Sequence, residues 1–77
     1  MFTIARVIHR YYKTKEKKPN EYADHTLNYY TDIDKARAVV RDILGAAATV
    51  DSTFGFDIWV SPDLPQTEYL IDVIQVY

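Results

Sequence analysis

Side chains able to perform nucleophilic or metal chemistry are scarce in this chain. It has two histidines, His9 and His25, and no cysteine. A nucleophilic triad needs a Ser, Cys or Thr beside an oriented base, and neither histidine lies in a local motif of that kind. A structural zinc site needs His and Cys clustered at short spacing. We therefore expect each histidine to be a hydrogen-bonded or solvent-facing strand residue.

The carboxylates suggest no reaction either. Asp32 and Asp34 lie where a helix is predicted to begin, and capping explains both. The other candidates show no calcium-loop spacing and are scattered over strands and turns: Asp51, Asp57, Asp63, Glu68 and Asp72. With two glycines, the chain has no glycine-rich phosphate loop. The sequence therefore predicts a protein that is not an enzyme and that has no cofactor, metal site or catalytic residue.

Charge is the feature most indicative of a partner, because it is sorted along the chain. Six basic residues and one acid in the first eighteen positions give +5, whereas three basic residues and ten acids in the rest give −7. Such asymmetry indicates a binding partner rather than a fold.

The positive end predicts one kind of partner, a nucleic acid. Basic residues with neighbouring aromatic rings pair phosphates and stack bases. The candidate residues lie on the first strand and the turn after it: Arg6, Arg10, Tyr11, Tyr12, Lys13, Lys15, Lys17 and Lys18. A lysine-rich turn is also typical of a solvated loop that protects an edge strand, so the sequence leaves both interpretations open.

The acidic and aromatic remainder predicts another kind of partner, a protein. Tyr and Trp are enriched at interface hot spots, and the chain has seven tyrosines and one tryptophan. Alternation predicts that Phe56, Ile58 and Val60 share one face of a strand and that Asp57 and Trp59 lie on the other, which we expect to be the uncovered side of the sheet. The candidate partner-binding residues are Asp57, Trp59, Asp63, Glu68, Tyr69 and Asp72.

One helix is predicted over residues 32–47, with Thr31 as its N-cap. Apolar residues recur there at helical spacing, from Ile33 to Ala47. Gly45 either ends the helix or lies inside it before Ala46–Ala48.

The flanking segments favour strands because they are rich in β-branched and aromatic residues. We predict strands over 2–12, 25–30, 54–60 and 68–77. The prolines at 19, 62 and 65 mark the breaks between them. The predicted fold is α+β: one domain over 1–77, in the order β-β-α-β-β, with a four-stranded antiparallel sheet and one helix on one face.

These features favour a small non-enzymatic protein-binding module. No apolar run is long enough to cross a bilayer, so we expect a cytoplasmic protein. Size and charge also suit, by analogy alone, an anti-CRISPR-like inhibitor encoded by a phage or mobile element that docks on a host nucleic-acid-handling complex. The alternative is direct nucleic-acid binding by the basic hairpin. A homodimer through edge strands is compatible with either function.

Overall fold

The computed structural model describes residues 2–77 as one antiparallel sheet with a single helix. The elements follow the order β1 (Phe2–Tyr12), β2 (Tyr22–Tyr30), α1 (Ile33–Leu44), β3 (Thr49–Asp51), β4 (Asp57–Val60) and β5 (Thr67–Val76). The predicted α+β class and the single helix are confirmed. The sheet has five strands rather than four, in the order β2-β1-β5-β4-β3.

The additional strand is β3, which follows the helix and pairs with β4. This strand could not be predicted from the sequence, because three residues are too few to display an alternating pattern. Strand β2 begins at Tyr22, three residues before the predicted start, and β4 begins at Asp57, three residues after it.

The helix is shorter than predicted at its C-terminal end. Its N-cap is Asp32, whose carboxylate accepts from the backbone N–H of Asp34 at 2.9 Å; the prediction of Thr31 was wrong by one residue. Its C-cap is Gly45, whose φ of +82° suits glycine and whose N–H donates to the carbonyl of Arg41. Ala46–Ala48 therefore lie beyond the helix.

The core lies between α1 and the sheet. Ala36, Val40 and Leu44 form the buried stripe of the helix. They pack with buried sheet residues that share one face, namely Ala5, Val7, Trp59, Tyr69 and Ile71. Because only one face of the sheet carries a helix, the opposite face, here called the open face, has no layer over it.

The two long terminal strands lie inside the sheet. Strands β1 and β5 pair with each other over the register from Phe2↔Val76 to Tyr11↔Thr67. The outer strands are β2, with nine residues, and β3, with three. A dimer through edge strands would therefore have to use β2 or β3 rather than the terminal strands.

Candidate protein-docking surfaces

Alternation along β1 assigns its side chains to the two faces of the sheet. Ala5 and Val7 lie under the helix, so Arg6, Ile8 and Arg10 lie on the open face. The register extends this assignment to the neighbouring strands, where Arg6 lies opposite Tyr29 and Asp72, and Arg10 lies opposite Asp24 and Glu68.

Both open-face arginines bind carboxylates in bidentate fashion. Arg6 donates to Asp72 through Nε (3.1 Å) and Nη2 (2.6 Å). Arg10 donates to Asp24 through Nε (2.8 Å) and Nη2 (3.0 Å). The hydrogen bonds from Arg10 lower the pKa of the Asp24 carboxyl, and those to Asp72 raise the pKa of Arg6. Two of the predicted nucleic-acid-binding cations are therefore already engaged within the chain.

A third charged pair lies at the lysine-rich end of the same face. The Glu68 carboxylate accepts from the Tyr12 hydroxyl at 3.1 Å and lies 3.5 Å from the Lys17 ammonium. Burial is the main reason why the pKa of Tyr12 is raised. Glu68 thus contacts both Tyr12 and Lys17, two of the predicted nucleic-acid-binding residues.

Apolar side chains fill the space between these polar groups. Leu70 is 7% exposed although no helix covers it, and its cross-strand neighbours Ile8 and Ile58 are half-buried. Phe56, whose ring lies 6.3 Å from that of Phe54, closes one side. A shallow hollow of about 210 Å³ remains, lined by Ile8, Arg10, Phe56, Leu70 and Asp72.

Three of the predicted partner-binding residues lie on the covered face instead: Asp57, Trp59 and Tyr69. Trp59 is 3% exposed in the core, so the prediction that it lies on the open side of the sheet is wrong. The alternation of β4 was correctly predicted, but its two faces were exchanged. The guanidinium of Arg41 lies 5.3 Å from the centroid of the Trp59 ring and covers its outer side.

Asp57 is buried beside Trp59 and is fully hydrogen-bonded. Its carboxylate accepts from Arg37 Nε (2.7 Å), Ser52 Oγ (2.8 Å) and Trp59 Nε1 (3.2 Å). Burial raises the pKa of this carboxyl, but the three donors and the positive charge of Arg37 outweigh burial, and the pKa is lowered. This arrangement ties helix α1 to β4.

Tyr69 and the three remaining predicted partner-binding residues are spread over the molecule. Tyr69 is buried and stacks on the His9 ring at 4.8 Å, and His9 Nε2 lies 3.3 Å from Thr67 Oγ1. Asp63 is exposed in the loop before β5, whereas Asp72 and Glu68 lie on the open face. The six residues therefore form no single surface.

Strand β2 is the longer of the two outer strands, and its outer edge is exposed. Eight of its nine residues are exposed, with Leu27 at 49% and Tyr29 at 53%. A bulge opposite Val7 and Ile8 leaves Leu27 outside the ladder, so Tyr22–Thr26 form a regular five-residue run. The strand contains neither lysine nor proline, the residues that commonly block edge pairing.

The loop of residues 13–21 joins β1 to β2, beside Tyr22; we call it the lysine loop. Lys13, Lys15 and Lys18 are exposed there, and among residues 2–77 none of the three has a carboxylate within ion-pair distance. Tyr11, the remaining residue of the predicted nucleic-acid site, is half-exposed on the helix-bearing side of β1. The loop keeps its shape through Lys13 N–H to Glu21 O at 2.9 Å and through Gln66, whose amide donates to the carbonyls of Tyr12 and Lys13.

Within residues 2–77, no three His, Cys, Asp or Glu side chains gather at metal-binding distance. No helix in that range is long and apolar enough to cross a membrane. Comparisons with protein-family models, curated proteins and solved structures find no match to this chain. Its function is therefore inferred from geometry and charge.

Proposed function

We propose that the protein is a protein-binding module that takes up an extended segment of a partner protein along the outer edge of β2. The observation that carries this proposal is the exposure of β2 over nearly its whole length without lysine or proline. An outer strand presents unpaired backbone N–H and C=O groups, which an added strand can pair. The regular run Tyr22–Thr26 matches the usual length of a strand, about five residues.

The neighbouring side chains suit an uncharged, apolar or aromatic segment. Asp24 is the only Asp, Glu, Lys or Arg on β2, and Arg10 neutralises its charge. Tyr22 lies under the Arg10 guanidinium at 4.1 Å, so its ring is held in place for contact with an added strand. Cross-strand pairs of aromatic and β-branched residues stabilise such ladders.

The lysine loop adds a charge preference at one end of the edge. A segment antiparallel to β2 runs toward Tyr22, so its C-terminal residues lie beside Lys13, Lys15 and Lys18. The partner segment is therefore an extended stretch of β-branched or aromatic residues followed by acidic ones, by electrostatic complementarity.

A synthetic peptide tests this proposal directly. It would have five alternating threonine, valine and tyrosine residues followed by two glutamates, and its matched control would carry the glutamates at the N-terminus. Binding is followed by NMR shifts of the backbone amides. We expect shifts at Tyr22–Thr26 and a roughly 3- to 10-fold weaker control, since two exposed ion pairs are at stake.

N-methylation of the peptide separates strand addition from other binding modes. Methylating the amides that face β2 should abolish binding, whereas methylating the alternate amides should preserve it, because only alternate N–H groups enter a given ladder. A Val50→Lys variant on β3, the other outer strand, should bind normally; Ala23→Lys, within the Tyr22–Thr26 run of β2, should bind more weakly. Shifts on β3 or the open face, or no binding at roughly 1 mM peptide, would refute the proposal.

A second candidate function is nucleic-acid binding by the lysine loop. It is favoured by the three exposed lysines that have no acidic partner among the described residues. It has less support than strand addition because Arg6, Arg10 and Lys17 are engaged by carboxylates.

The narrower expectation of an anti-CRISPR-like inhibitor that displays carboxylates also has less support. Of the acids predicted to contact the partner, Asp57 and Asp72 are paired with arginines. Their charges are therefore not free to bind a basic surface of a partner.

A further inference from the structure

Several apolar side chains of the open face remain partly or largely exposed to solvent. Phe2 is 57% exposed, Ile4, Ile58 and Ile74 are half-buried, and Phe54, in the loop before β4, is 66% exposed with its ring beside that of Phe56. The helix side differs, because α1 seals its centre completely at Ala36 and Val40. A sheet with one covered and one apolar uncovered face is typical of a surface that meets another protein.

We propose that the open face is covered by the open face of a second copy of this chain, which gives a four-layer α-β-β-α homodimer. The outer edge of β2 lies at the side of such a sandwich, so this inference is independent of the strand-addition proposal.

The size of the open face fits a stable interface. Five strands at about 4.8 Å spacing are about 24 Å wide, and their mean length of about seven residues corresponds to roughly 25 Å. Each copy would then cover about 600 Å², or about 1,200 Å² for the pair, which lies at the lower end of the range of specific interfaces. An edge-to-edge dimer through β2 would bury much less, because a sheet edge is only one strand thick.

The charges of the open face suit a like copy in particular. A face with net charge would repel its own copy, whereas here Arg6, Arg10 and Lys17 are each matched by a carboxylate on the same face. Asp51 adds one negative charge at the far rim on β3. A surface that has already neutralised its charges can face itself without like-charge opposition.

Covering the Arg6–Asp72 pair removes water from it, which is a cost of forming the dimer. Its bidentate geometry, at 2.6 and 3.1 Å, is the form in which an ion pair best tolerates burial. The hollow beside it, lined by Ile8, Phe56 and Leu70, gives an apolar side chain of the second copy a place to insert.

Sedimentation equilibrium tests the proposal through two variants of neighbouring strands. Ile8→Asp puts a charge in the centre of the open face; Val73→Asp puts the same charge on the opposite side, at a position that is 51% exposed. We expect twice the chain mass of 9.0 kDa for the natural protein and for Val73→Asp. For Ile8→Asp the dissociation constant should rise at least roughly 30-fold. A monomer up to about 1 mM, or an unaltered dimer in Ile8→Asp, would overturn the proposal.

A labelling experiment decides the case in which both variants lose the dimer by unfolding. Because the chain has no cysteine, Ile74→Cys and Val73→Cys each introduce a single thiol. The two positions are consecutive on β5, so the thiols lie on opposite faces of the sheet. Raising the protein concentration should slow labelling of the open-face thiol at position 74 and leave position 73 unchanged. Equal behaviour of the two thiols would overturn the proposal.

Discussion

We expect replacement of Asp57 to lower the free energy of unfolding rather than to weaken a contact with a partner. Asp57→Ala removes the acceptor for Trp59 Nε1–H, which is buried, and this costs about 1–3 kcal/mol. It also removes the bonds from Arg37 and Ser52, which rehydrate because their side chains reach solvent. The loss of those partly compensated bonds adds about 1 kcal/mol. The expected total is about 3 kcal/mol of unfolding free energy.

Asp57→Asn isolates the contribution of the negative charge, because asparagine has nearly the same shape as aspartate. The amide oxygen retains one acceptor, so the buried Trp59 N–H can stay bonded, but the ion pair with Arg37 is lost. We expect a cost of about 1–2 kcal/mol. If Arg37 and Asp57 act as a pair, the double variant Asp57→Asn/Arg37→Met should be destabilised by at least about 0.5 kcal/mol less than the sum of the single changes.

Urea unfolding followed by the fluorescence of the single tryptophan measures these costs, because Trp59 is buried in the folded state. For a chain of this length, 3 kcal/mol also corresponds to a decrease of roughly 12–24 °C in the melting temperature. A cost below about 1 kcal/mol for Asp57→Ala would refute the structural role. In that case Asp57 would again be a candidate for partner contact.

The pH dependence of stability gives an independent check. The folded pKa of Asp57 lies below its ordinary value of 3.8, so the folded state favours the ionised form. Its contribution is therefore present above the unfolded pKa and is lost as the pH falls through the folded pKa. The stability difference between the natural protein and Asp57→Asn should shrink below about pH 4. A difference that stayed constant down to about pH 2 would contradict the lowered pKa.

Three smaller effects are expected. Arg10→Ala should cost at most about 1 kcal/mol in urea unfolding, because the Arg10–Asp24 pair is partly exposed and screened by salt; a cost above about 2 kcal/mol would show that the pair is structural. Gly45→Ala should cost about 1 kcal/mol in the same assay through its φ of +82° alone, since a Cβ meets no atom within 4 Å; a neutral result would contradict the positive φ of this cap. The protein should not bind labelled single-stranded RNA at about 50 mM salt. Binding that disappears when the lysines of the lysine loop are replaced with alanine would establish the nucleic-acid alternative instead.

Much of the fold could be predicted from local pattern. The capped, periodic segment beginning near Asp32 could only be an amphipathic helix, and the prolines at 62 and 65 separated two strands. The C-terminal end of the helix could not be fixed, because alanines after Gly45 continue a helix as readily as they leave one. Its actual end depends on the chain turning into β3, a strand that exists only through its pairing with β4.

The candidate sites depended more on tertiary structure. Alternation separated Asp57 and Trp59 from Ile58 and Val60, as predicted, but it does not say which side the helix will cover. Likewise the basic residues could be recognised as a cluster, whereas their carboxylate partners could not. Asp72 lies 66 positions from Arg6 and meets it only because β1 and β5 are neighbours in the sheet.

By itself, the sequence determined the types and order of the main elements, because helix caps, periodicity and proline act over a few residues. Only the tertiary structure decided which charges are free, which face is open and which strand is outermost. These depend on contacts between residues far apart in the chain. The charge asymmetry along the sequence thus becomes, after folding, a face of matched ion pairs, with three lysines exposed beside the edge of β2.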